Sequence, residues 1–137
     1  MITYRKNVCF VWGRNEKQSE IGIVGPKGIQ LLYKTKNFIS QVQVNDSNEI
    51  CFSMDSSIYN LNKKKKILTL NESISGFCYD YKNRLIVSAG RNIAMQKDKQ
   101  LVAIMGNVGG LLDSLGDYVF VLSNKRKRIY SLFPEGK

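Results

Sequence analysis

The densest chemistry in this sequence sits in two basic runs, Lys63-Lys64-Lys65-Lys66 and Lys125-Arg126-Lys127-Arg128. Four adjacent cations attract polyanions. Such contact is salt-sensitive and blind to sequence, with a Kd of about 10⁻⁴ to 10⁻⁶ M against nucleic acid. The chain has no histidine, and 21 Lys and Arg against 11 Asp and Glu leave a formal charge of +10. It therefore favours anionic partners and lacks the usual proton shuttle and commonest metal ligand. Asp46, Glu49 and Asp55 are close in sequence, but their setting is that of turn residues rather than of a carboxylate pair. No catalytic, cofactor-binding or metal-ligating residue is expected, no cofactor is implied, and the chain is not expected to be an enzyme.

Cys9, Cys51 and Cys78 are odd in number, have no short spacing, and each lies in an apolar run where a thiol acts as a small hydrophobe. A zinc pattern such as C-x-x-C is missing. The five-residue apolar run before Gly13 is too short for an export signal. The stretch "LVAIMGNVGGLL" falls short of the ~20 residues a membrane span requires. A soluble, cytoplasmic protein with no membrane partner is expected.

What elements position the basic runs? The phrase "ISQVQVNDSNEICFS" from Ile39 returns 35 residues later as "ISGFCYDYKNRLIVS" from Ile74, and 34 residues further on as "VGGLLDSLGDYVFVLS" from Val108. Ser53, Ser88 and Ser123, 35 apart, read as equivalent. After each serine comes a short apolar piece, "SIYNL", "NIAMQ" or "RIYSL", and then a fourth piece, "KILTL" or "QLVAIM". Upstream, "YRKNVCFVW" from Tyr4 matches "YKNRLIVSA" from Tyr81. The runs are short, rich in Ile, Val, Leu, Tyr and Phe, and bounded by Asn, Asp, Gly, Ser and Lys, which predicts strands rather than helices. Four short strands recurring at this period are a propeller blade in sequence form. The predicted fold is all-β and β-propeller-like, one domain over 1–137, with about four blades of four antiparallel strands at 1–38, 39–73, 74–107 and 108–137. The first and last blades are expected to be incomplete. The opening residues "MITY" resemble "ILTL", Ile67 to Leu70, and can serve either as the opening strand of the first blade or as the missing strand of the last.

Asp46, Asn48, Ile50 and Ser53, followed by Ile58 and Leu61, and then Tyr81, Asn83, Leu85 and Ser88, give the chain a pattern that resembles NHL-like and regulator-type β-propeller blades. The resemblance implies the fold. It carries no activity, because these are packing and turn positions. Trp12 reads as a core residue.

In such a blade the first and third turns share one side and the second turn lies on the other. Lys63 to Lys66 would then be joined by Arg5, Lys6, Lys27, Lys82, Arg84, Lys97 and Lys99, with Tyr4, Tyr79 and Tyr81 nearby for stacking. Lys125 to Arg128 would lie opposite. The expected function is a non-enzymatic protein-protein interaction or assembly module, a partial propeller completed by a second copy or by another subunit. The alternative is a nucleic-acid or phosphate-binding module acting through its basic side.

Overall fold

A computed structural model describes residues 2–5, 7–15, 18–123 and 128–132. Among them the chain is all-β, and it divides into two compact units, Met1–Thr69 and Leu70–Lys137. The first unit holds one sheet of β1 (Thr3–Tyr4), β2 (Asn7–Asn15), β3 (Gln18–Gly25) and β4 (Gly28–Thr35), and a second of β5 (Ile39–Val44), β6 (Ile50–Met54), β7 (Ser57–Asn60) and β8 (Lys65–Thr69). The second unit holds a sheet of β9 (Ile74–Tyr79), β10 (Leu85–Ala89), β11 (Asn92–Lys97) and β12 (Gln100–Gly106), and one of β13 (Gly110–Leu115), β14 (Tyr118–Ser123) and β15 (Arg128–Leu132). Every sheet is an antiparallel meander in chain order, the arrangement of a propeller blade. The two-residue β1 pairs with β2, so Thr3 and Tyr4 are used as the short opening strand of the first sheet. The last sheet has three strands among the described residues.

Two of the turns show how local sequence builds this pattern. In the second sheet the Asn45 Oδ1 accepts the Glu49 N–H at 3.0 Å, and in the third the Asp80 Oδ1 accepts the Arg84 N–H at 2.8 Å. Each turn bends through an asparagine in the left-handed region, Asn48 at φ 58° and Asn83 at φ 59°, a conformation asparagine tolerates better than most residues. Asn45 and Asp80, which close these turns, stand one position before the residues on which the propeller resemblance was read.

The cores follow from strand alternation. In the first unit Tyr4, Cys9 and Ile21 of the first sheet pack on Ile39, Val42, Ile50, Phe52 and Met54 of the second. In the second unit Cys78, Ile86, Ile93 and Met95 of the third sheet meet Val108, Leu112, Val119 and Val121, on or just before the fourth. Each sheet thus supplies an apolar face that its neighbour covers, as stacked repeats require.

Register corrects one equivalence read from sequence. Gln41, Ser53 and Ile58 stand side by side across the second sheet, and Gly76, Ser88 and Ile93 across the third. The corresponding row of the fourth sheet is Leu111, Leu122 and Ile129. Ser123 instead pairs with Gly110 and Arg128, and its side chain is buried on the other face. The cause is the turn: β13 and β14 close tightly at Leu115 and Tyr118 through Gly116 at φ 59°, whereas β9 and β10 close across residues 80–84. A shift of one residue exchanges the two faces of a strand.

Candidate interaction surfaces

The first surface is one side of the last sheet. Opposite its buried Leu112 and Val121 side, the sheet shows Leu111, Leu115, Tyr118, Leu122 and Ile129 to solvent, with Leu122 at 42% exposure and Ile129 at 70%. Tyr118 and Phe120 stack on this side with ring centroids 6.3 Å apart. In the third sheet the matching row, Gly76, Ser88 and Ile93, is fully buried. Ser88 shows what covers it: its Oγ accepts the Gly110 N–H of the fourth sheet at 3.0 Å.

The first sheet has the mirror condition. Its Cys9 and Ile21 side is packed, while Val8, Phe10, Trp12, Val24, Ile29 and Leu31 share the other side. Leu31 is 52% exposed and Ile29 62%. Trp12, expected in the core, is 41% exposed and stacks on Phe10 at 5.7 Å. It sits on the unpacked side because it lies an even number of residues from Phe10. The exposed apolar side chains of the first sheet are thus gathered on one side of it.

The basic run Lys63 to Lys66 forms the turn into β8 and that strand's first residues. Asn60 Oδ1 accepts the Lys63 N–H at 2.9 Å, and Lys64 takes the left-handed conformation at φ 54°. Lys63 Nζ stands 3.8 Å from Glu49 Oε1. The Asn45 side chain, followed by Asn60 and the charges of Lys63 and Lys65, holds the Glu49 carboxyl below the usual carboxylate range, against the opposing effect of burial. Lys64, Lys65 and Lys66 line an open cavity of about 290 Å³ with Tyr33, Phe52 and Tyr59. These rings form a row, with centroids 5.0 Å and 5.2 Å apart, and Lys66 Nζ lies 5.5 Å from the Tyr59 centroid. The sequence reading named the lysines but missed the rings, which come from β4, β6 and β7.

The other expected site residues fare differently. Lys125, Arg126 and Lys127 lie outside the described residues, as does Lys6, and Arg128 is the exposed first residue of β15. Arg84, grouped by sequence with the basic side, is turned inward: its side chain is 16% exposed, and its Nη2 is 2.7 Å from Asp80 Oδ2. It holds a turn together and is unavailable to a partner. Tyr4, proposed for stacking, is 6% exposed and accepts a hydrogen bond on its hydroxyl from Asn62 Nδ2 at 2.9 Å. Tyr81 is 48% exposed, with Lys82 Nζ 5.5 Å from its ring centroid.

All three cysteines are buried free thiols. Burial pushes the Cys9 thiol up to about 11. Cys78 is raised further, by burial first and then by the charges of Asp113 and Asp80. High thiol pKa values work against nucleophilic and redox roles. Among the described residues no helix is long and apolar enough to cross a membrane.

No known protein family profile matches the chain, and no curated protein does either. Solved structures do. The chain is similar to puromycin hydrolase, with a TM-score of 0.64 at 11% identity over 93% of this chain and 27% of that one. It is likewise similar to a mutant of that hydrolase complexed with PGG, with a TM-score of 0.60 at 11% identity over 96% of this chain and 27% of that one. The chain therefore spans about a quarter of the length of the structures it matches. At this identity the likeness establishes the propeller-like fold, and it names no repeat family. It also corrects the expectation that the chain is not an enzyme. The protein whose fold it shares is a hydrolase, so sheets of this kind are no ground for setting enzymatic activity aside.

Proposed function

We propose that this chain is a protein-interaction and assembly segment, a set of propeller blades completed by blades from another polypeptide surface. The observation that carries the reading is the side of the last sheet. The row that is buried as Gly76, Ser88 and Ile93 in the third sheet is exposed as Leu111, Leu122 and Ile129 in the fourth, and all three residues are large and apolar. Burying such side chains contributes roughly 1.5–3 kcal/mol each when an opposing surface covers them fully. The test is purification of the tagged protein from its native source under mild conditions, followed by native mass measurement. A stable complex that is lost with Leu122→Asp is the expected result. A strict monomer, with no associated polypeptide at micromolar concentration, refutes the reading.

A second reading rests on a separate observation, the cavity in which Lys64, Lys65 and Lys66 adjoin Tyr33, Phe52 and Tyr59. Cations beside aromatic rings suit a phosphate carried on a planar base, as in single-stranded nucleic acid. Binding of a labelled single-stranded oligonucleotide should weaken steeply with salt and fall further in Lys64→Glu/Lys66→Glu. Binding indifferent to both changes rules this reading out.

A further inference from the structure

Resting on the assembly reading, we infer that the surface completing this chain is a second copy of itself, joined head to tail: the free side of the last sheet of one copy packs on the free side of the first sheet of the other.

The argument is one of polarity. In the first unit the earlier sheet turns its Cys9 and Ile21 side to the later sheet, which answers with its Phe52 side. In the second unit the earlier sheet turns its Ile86 and Ile93 side to the later one, which answers with its Val121 side. Both junctions run in the same direction. The free side of the last sheet carries Leu111, Leu122 and Ile129, the counterparts of Gly76, Ser88 and Ile93, so it is the kind of side an earlier sheet presents. The free side of the first sheet lies behind Cys9 and Ile21, so it is the kind a later sheet presents. One chain therefore carries both halves of a third junction of the same type.

Composition agrees with this pairing. Leu111 and Leu122 project where the third sheet has the small Gly76 and Ser88, and the first sheet, whose central Gly22 is covered by the Phe10 ring, offers the exposed apolar side chains of Trp12, Ile29 and Leu31. Asp113 interrupts the last side, and the first side carries Lys34 in register with the buried Glu20 and with Trp12. Two sides that match each other but not themselves make a heterologous contact, which closes into a ring when the rotation permits. Two copies of four sheets give eight blades, the upper end of the usual propeller range of about 4–8.

The test uses Leu122→Asp on the last side and Leu31→Asp on the first, with Leu122→Ser, the residue found at the matching position of the second and third sheets, as a variant compatible with the fold. Each is compared with the unmodified chain by light scattering after size exclusion at tens of micromolar, with circular dichroism to verify strand content. The expected result is a discrete dimer for the unmodified chain, monomers for each aspartate variant alone, at least a tenfold weaker dimer for Leu122→Ser, and a one-to-one heterodimer when the two aspartate variants are mixed. The mixture retains one intact junction, because the Leu31→Asp chain still offers its last side and the Leu122→Asp chain its first. If Leu31→Asp alone remains dimeric, the contact is last side to last side. If Leu122→Asp alone does, it is first to first. Either result overturns the inference, as does an unmodified chain that is monomeric or forms a ladder of sizes. A monomeric chain that still forms a Leu122-dependent complex in the native source would overturn this inference and leave the assembly reading standing.

Discussion

Replacing Asp80 with alanine should unseat the third sheet's first turn, and the structure allows the size of the effect to be worked out. The Asp80 Oδ1 accepts the N–H groups of Lys82 at 3.0 Å and Arg84 at 2.8 Å, while Oδ2 accepts the Arg84 Nε–H at 2.8 Å and pairs with Nη2 at 2.7 Å. The carboxylate side chain is 1% exposed and that of Arg84 16%, so water cannot take over these bonds in the folded state. Removing one partner of a buried pair costs about 3–5 kcal/mol, because the other charge is left without compensation. With a urea m-value of about 2 kcal/mol/M, the unfolding midpoint should fall by about 2 M. Asp80→Asn keeps an oxygen for the backbone N–H groups but still leaves the Arg84 charge without compensation, so it should lose only somewhat less than alanine, about 3 kcal/mol. Equilibrium unfolding in urea, followed by circular dichroism, measures both. A change within about 0.5 kcal/mol for Asp80→Ala, the size expected of an ordinary surface substitution, would refute the claim that this carboxylate organises the turn.

Gly110 stands at φ 155° where an added Cβ would run into the Leu122 carbonyl, whereas Gly116 at φ 59° has open space around it. Gly110→Ala should therefore lower the melting temperature more than Gly116→Ala, whose loss of about 1–2 kcal/mol comes from backbone conformation alone; equal losses would count against the register described for β13 and β14. Glu49 makes stability depend on pH on the acid side. Its folded pKa is depressed, so its contribution is fully present above the usual carboxylate value of about 4.3 and disappears as pH falls through the lower folded value. Urea titrations at pH 6 and pH 3 should show Glu49→Gln narrowing the difference between them, and an unchanged difference would contradict the hydrogen bonds drawn from Asn45 and Asn60.

The strands were legible because their signals are local. Runs such as Ile50–Met54 and Leu85–Ala89 are apolar and short, and their turns carry Asn48 and Asn83 at the bend, so neighbouring residues alone fix where the backbone reverses. The chemistry of Lys63 to Lys66 was legible for the same reason, but the Tyr33, Phe52 and Tyr59 row beside it was not, since its members meet only when β4 comes to lie against β6 and β7. Arg84 misled for a related reason: beside Lys82 it reads as one more surface cation, and only the buried carboxylate of Asp80 turns it inward.

What the sequence determined alone was the repeating unit and its strands, because alternation and turn chemistry act over a few residues. What only the tertiary structure decided was which side of each strand is buried. Side chains alternate along a strand, so the shorter turn between β13 and β14 moves Leu122 into the place that a 35-residue spacing gives to Ser123. One side of the last sheet thereby becomes an exposed apolar surface, a consequence of pairing between strands rather than of any single residue.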